Sequence, residues 1–232
     1  MNNRTLHHLI QIGVGVSEVS IDFPEELQNN PEFKPRGLAL IGHPHPLMGG
    51  SMENKVAQTL AKTFNMLGYV AVRPNFRGVG QSQGSFDDGV GEIDDLEQIL
   101  EWMQSPNSWK GLTSIPSYEW MNGVENLPFA LAGFSFGSFV NSNLTQRLMN
   151  KGQGPERLVL IGSAAGKWDM PNIPKNTIVI HGEIDDTIPL QAVFDWLKEQ
   201  EVIVHVIPGA DHFFHRKLHL IRDTVIGLWH AK

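Results

Sequence analysis

Cysteine is absent from the 232-residue chain. That absence excludes a disulfide framework, thiolate metal sites and a thiol nucleophile. Basic runs are missing too: 18 Lys and Arg stand against 25 Asp and Glu, a formal charge of −7. Nucleic acid and anionic membranes are recognised by clustered positive charge, so neither is an expected partner. No apolar stretch approaches the roughly 20 residues that span a bilayer. The opening MNNRTLHHLIQIGVGV carries one Arg and an apolar patch broken by two His and a Gln. Without a clean h-region or a small-residue cleavage site it reads as a first strand. Together with the missing cysteines, this sets the expectation of a cytoplasmic protein; its oligomeric state, monomer or homodimer, stays open. No repeat, low-complexity tract or domain linker interrupts the chain.

What is present is 41% hydrophobic and 19% charged residues, the balance of a soluble globular protein. The length suits one α/β domain with a sizeable core. Strands are expected at 6–12 and 16–21, with Gly13 and Gly15 at the turn, followed by a surface loop over 24–37. GLALIGH (37–43) is a short continuous apolar run, as in a strand buried on both faces. Val56, Leu60, Phe64 and Leu67 repeat with helical spacing, and Gly68 stands where that helix should stop. Further strands are expected at 69–75, 129–135, 157–163, 177–182 and 202–208. Further helices are expected at 92–103, 136–149, 192–200 and 214–230. The fold class that follows is α/β, a mostly parallel central sheet with helices on both faces and N-terminal antiparallel strands. The 105–128 stretch, with two Trp, one Tyr and three Pro, is long for a simple connection and reads as an insertion near the active site.

The strongest chemical signal is GFSFG at 133–137, a G-x-S-x-G placed where a strand ends and a helix begins. Such an elbow lifts the serine hydroxyl above the sheet, and side chains two residues either side would clash. Ser135 is therefore the candidate nucleophile. Its base needs a carboxylate to set the imidazole tautomer. HGEIDDTIP (181–189) offers Asp185 and Asp186 after one strand, with Asp185 preferred. PGADHFF (208–214) offers His212 after the last strand. All three positions fall past the carboxyl ends of strands, the edge where open parallel sheets bind ligands. His7, His8, His205, His215, His219 and His230 lie in edge, strand or helical stretches and read as bystanders.

These stretches resemble the α/β-hydrolase superfamily, and more closely small cap-less bacterial serine hydrolases similar to dienelactone hydrolase. The resemblance rests on HPHPLMGGSMENK (43–55), RPNFRGVGQSQG (73–84), GFSFGS (133–138), HGEIDDTIP and GADHFF (209–214). It implies a single hydrolase domain over 1–232, with Asp185 the acid and His212 the base. GVGQSQG, superficially a dinucleotide loop, lacks the immediate helix that a phosphate site requires. By resemblance it is a structural turn, with Arg77 anchoring loops, and no cofactor is expected. His43 and His45 form a His-x-His pair without a recognisable third ligand, so no metal is expected either. An oxyanion hole takes one backbone N–H from the residue after the nucleophile, here Phe136, and another from the loop after the third strand. Pro44 and Pro46 have no N–H. His43, His45 and Leu47 remain; His45 is preferred and Leu47 comes second.

The expected activity is that of a carboxylesterase-like serine hydrolase acting on small to medium acyl esters or thioesters. Leu47, Phe134, Trp168 and Phe213 are candidate lining residues for a small-molecule acyl substrate. A serine peptidase of the prolyl or aminopeptidase type is an alternative, although the 164–176 connection is too short for a large cap. A non-catalytic binding module on the same fold is another.

Overall fold

The computed structural model describes residues 5–30, 32–110, 112 and 119–229. β1 (Thr5–Ile12) and β2 (Gly15–Asp22) form an antiparallel hairpin. One short helical turn, α1 (Glu26–Asn29), interrupts the stretch read as loop, and its Leu27 is buried. In β3 (Gly37–Gly42), Leu38 and Leu40 enter one hydrophobic cluster while Ala39 and Ile41 enter the other. The period-two division recurs in β4 (Tyr69–Pro74), where Val70 and Val72 oppose Tyr69 and Ala71. A strand apolar on both sides has to be covered on both sides. On the face of Ala39 and Ile41 lies α2 (Lys55–Met66), begun by Asn54, whose side chain accepts the Val56 N–H, and ended at Gly68 (φ +86°). On the other face lie α3 (Val90–Met103) and α4 (Pro106–Lys110).

The second half repeats the plan. β5 (Phe129–Phe134) runs into α5 (Phe136–Asn150) through Ser135 alone. β6 (Arg157–Ile161), β7 (Ile178–Gly182), α6 (Leu190–Leu197), β8 (Val204–Ile207) and α7 (Leu218–Trp229) complete the described chain. α7 begins later than expected because Phe214 leaves the helical path at φ +53° to bury itself fully; His230 lies outside the described residues. The sheet order is β1-β2-β4-β3-β5-β6-β7-β8, antiparallel at β1, β2 and β4 and parallel from there on. α2 and α7 cover one face; α3, α5 and α6 cover the other. Among the described residues no helix is long and apolar enough to cross a membrane.

The described parts of 105–128 pack at the amino edge of the parallel strands, opposite the edge reached by Ser135. Trp109 is buried there against Phe23, Trp102 and Trp120, and the Pro128 carbonyl receives the Leu38 N–H. Residues 111 and 113–118 lie outside the described residues.

Two side chains hold the strand exits on the carboxyl edge. Arg77 closes the 75–84 turn by a bidentate pair with Asp95 on α3 (2.7 and 2.8 Å) and a bond to the Gly91 carbonyl (2.8 Å). His43, fully buried at the end of β3, donates from Nδ1 to the Pro44 carbonyl (2.6 Å) and accepts the Phe76 N–H at Nε2 (2.9 Å). Burial pushes this imidazole down to about 4, against the opposing pull of the Pro44 carbonyl.

Both ties carry testable costs. Removing the guanidinium strands a buried Asp95 carboxylate, so Arg77→Met should lower unfolding stability by about 3–5 kcal/mol in urea titrations, with Asp95→Leu added on top restoring part of it. For His43, the unfolded chain gains a proton near pH 6.5 and the folded chain only near 4. Its contribution is full above the first value and lost as pH falls between the two, roughly 3 kcal/mol in all. Urea midpoints measured from pH 7 to 4 should fall more steeply in the native chain than in His43→Asn; equal slopes would remove this role.

Candidate active site

The candidate site begins with a close approach of backbones. β5 and β3 pair with Gly133 opposite Gly42. A side chain at Gly133 would come within 2.1 Å of the Gly137 carbonyl oxygen, and one at Gly137 within 2.3 Å of the Gly42 carbonyl oxygen. No real Cβ tolerates such distances, so both elbow glycines are required by contact rather than by φ. Ser135 takes the strained position itself, with φ +53° and ψ −120°. Non-glycine residues held in such regions cost about 1–3 kcal/mol and persist only where the surroundings enforce them. Here the enforcing bonds are the Ser135 N–H to the Ile161 carbonyl (3.0 Å) and the Ser138 hydroxyl to the Ser135 carbonyl (2.5 Å). Ser138 in turn accepts the Ala164 N–H (3.0 Å), joining the elbow to the exit of β6. Ser138 closes the GFSFGS motif, yet its tie to Ala164 is tertiary and has no signature in the spacing.

Three strand exits bring Ser135, Asp185 and His212 together. The Ser135 hydroxyl lies 3.1 Å from His212 Nε2, across 77 residues of chain. His212 Nδ1 lies 2.7 Å from Asp185 Oδ2. The other carboxylate oxygen accepts the N–H groups of Thr187 (3.0 Å) and Ile188 (2.7 Å). Burial alone would raise this carboxyl, but the bonds from His212 and Ile188 outweigh it and hold it below the usual range. An ionised Asp185 can only accept a hydrogen bond, so it holds the His212 proton on Nδ1 and leaves the Nε2 lone pair facing the serine hydroxyl. Asp186 is exposed and meets only the Thr187 hydroxyl (3.4 Å); Asp211 pairs with exposed His215 (2.6 Å). His181, buried one turn away, donates from Nε2 to the Ile188 carbonyl (2.9 Å) and so pins the turn that carries Asp185. Sequence reasoning treated His181 only as the start of a motif.

The residues expected to accept negative charge sit side by side. The rings of His45 and Phe136 are 5.0 Å apart, and neither backbone N–H has an acceptor among the described residues. Leu47, the second choice, already donates its N–H to His45 Nδ1 (3.2 Å) and is 70% exposed. The His45 ring thus caps the turn Pro46–Met48 and packs on Phe86, Phe136 and Trp168. Burial lowers its pKa, against the pull of Glu92 and Asp88. His43 spends both ring nitrogens on backbone groups, which leaves no lone pair for a metal.

A cavity of about 530 Å³ opens over Ser135. Of the residues expected to line it, Trp168 and Phe213 do, together with His45, Met48, Phe136, Lys167 and Ile188. Phe134 does not: it is fully buried beneath the His212 ring, 5.0 Å away, and Leu47 points outside. The described 75–84 turn is structural, with the Ser82 hydroxyl bonded to the Glu18 N–H (3.0 Å) and the Asn75 carbonyl (2.8 Å).

Comparison with known proteins places this arrangement. A crystal structure from Xanthomonas campestris, XC6422, described as an α/β serine hydrolase without a lid, is 33% identical, with a TM-score of 0.81 over 99% of this chain and 95% of that one. An α/β serine hydrolase homologue from Coxiella burnetii is 32% identical, with a TM-score of 0.75 and 96% of each chain covered. The uncharacterized protein RP471 of Rickettsia prowazekii is 34% identical over 195 residues, 78% of this chain and 73% of that protein. The family model described as X-Pro dipeptidyl-peptidase (S15 family) matches residues 38–184. Strand order, elbow and sequence thus agree, and with more than half its length matched the chain belongs to the S15 peptidase family of α/β hydrolases.

Proposed function

We propose that the chain is a serine hydrolase of carboxylic esters or thioesters with small to medium acyl groups. The observation that carries this is the continuous relay from Ser135 Oγ through His212 to Asp185, at 3.1 and 2.7 Å. In the first half-reaction Oγ attacks the acyl carbonyl while His212 Nε2 takes its proton. Charge moves onto the carbonyl oxygen, where the N–H groups of Phe136 and His45 receive it; one such donor is worth about 10²–10³ in rate. Asp185 stabilises the imidazolium without itself gaining the proton. His212 then passes the proton to the leaving oxygen or sulfur, and the acyl group remains on Ser135. Water, deprotonated by His212, attacks the acyl-enzyme, and collapse returns the proton to Oγ with release of the acid.

The family description favours a second reading, cleavage after proline in peptides. That match ends at residue 184, before Asp185 and His212. An exopeptidase that measures from a free amino terminus needs a carboxylate to meet the substrate ammonium. Among the described residues no Asp or Glu lines the cavity over Ser135. The cavity wall of Phe136 and Trp168 suits an acyl chain instead.

Ser135→Ala should cost about 10⁴-fold or more in kcat on any p-nitrophenyl ester the native chain cleaves, and a fluorophosphonate should label the native protein at Ser135 alone. Retention of activity within tenfold would sink the mechanism, and failure to label would support a binding module. A glycyl-prolyl p-nitroanilide turned over faster than every ester would move the assignment to peptides.

A further inference from the structure

We propose that the leaving group of the substrate carries a negative charge, so that the enzyme takes esters or thioesters of an anionic alcohol or thiol. The inference rests on the serine hydrolase reading above and adds the chemical class of the departing half.

The direction of departure follows from the proton. His212 Nε2 must hand its proton to the leaving atom, so that atom lies against His212. The next residue, Phe213, is 46% exposed, with its ring edge-on to His212 at 5.2 Å. Phe213 and Asn54 belong both to the cavity over Ser135 and to a second hollow of about 250 Å³ beside it. A leaving group protonated by His212 therefore runs past Phe213 into this hollow.

The hollow is basic. Lys55, His215 and Arg216 line it, and among the described residues neither it nor the catalytic cavity has an Asp or Glu in its wall. The bias runs against a chain with seven more acidic than basic residues. Other cations pair with carboxylates: Arg147 and Lys151 with Glu97, Lys175 with Glu201, Arg222 with Asp223. Lys55 and Arg216 form no ion pair among the described residues. Asp211 is bonded to His215 through Nδ1 (2.6 Å). Two cations without an ion pair, on the wall that the leaving group passes, suit a phosphate or a carboxylate on that group.

The test uses butyrate esters of closely matched phenols: 4-hydroxyphenylacetate, its neutral methyl ester, and 4-hydroxybenzylphosphonate. A fourth ester places the charge on the acyl half, the hemisuccinate of the neutral phenol. Expected are kcat/KM values at least about tenfold higher for the anionic leaving groups than for the neutral one at low salt, with the advantage shrinking toward unity in 0.5 M NaCl. A larger gain with the phosphonate points to phosphate as the natural group, and a larger gain with the acetate to carboxylate. In Lys55→Gln/Arg216→Gln the advantage should disappear, whereas Lys175→Gln, remote and paired with Glu201, should keep it. Equal rates for charged and neutral phenols, or a gain confined to the hemisuccinate, would overturn the inference while leaving the hydrolase reading intact. If no ester turns over but fluorophosphonate still labels Ser135, protection from labelling by the free phenols reads the same preference. Absence of both turnover and labelling would overturn the hydrolase reading itself.

Discussion

Everything at the carboxyl edge depends on how closely three backbone segments approach around residues 42, 133 and 137. Gly133 faces the Gly137 carbonyl and Gly137 faces the Gly42 carbonyl, each at a distance that admits no side chain. That approach lets α5 start one residue after β5 ends, with Ser135 as the whole connection. A looser join would spread the turn and lower the serine toward the sheet. The cost is a strained serine, and the Ser138 and Ile161 bonds hold it in place. Packing on both sheet faces supplies the stiffness on which these bonds act.

The groups around the elbow divide the work by what they leave free. His43 uses both nitrogens and serves as a strut; His45 uses one and serves as a cap; His212 keeps Nε2 directed at a hydroxyl. Three imidazoles within one edge thus differ in chemistry through their partners alone, a common way for proteins to separate structural from reactive histidines. Asp185 is similarly set apart from its neighbour Asp186. Two backbone N–H groups and His212 occupy its oxygens, while Asp186 faces solvent.

Much of this was legible in the sequence because strands and elbows follow local rules. The continuous apolar runs at β3, β5 and β6 mark strands covered on both faces, and glycines two either side of Ser135 mark the elbow. The parallel order follows from strand and helix alternation. What escaped depends on contacts distant in sequence. The use of Phe134 as a floor under His212, not a cavity wall, is set by its inward turn at the end of β5. Leu47 loses its N–H to a ring two residues away, which periodicity does not encode. The short α1 and the late start of α7 reflect Leu27 and Phe214 burying themselves, tertiary demands that override local turn signals. Ser138 and His181 were visible as letters in motifs, but their bonds to Ala164 and Ile188 arise only when separate loops meet.

The Ser135 hydroxyl and the His212 imidazole meet across 77 residues, joined through β6, β7 and β8, the last of which closes the sheet edge. A ribosome releases Ser135 long before it has made His212. Until the last strand docks, the elbow carries an ordinary alcohol with no base to ionise it. On the proposed mechanism the strand order therefore acts as a safety interlock: a half-made chain has its serine but no base to use it, and reactivity comes only with the completed sheet.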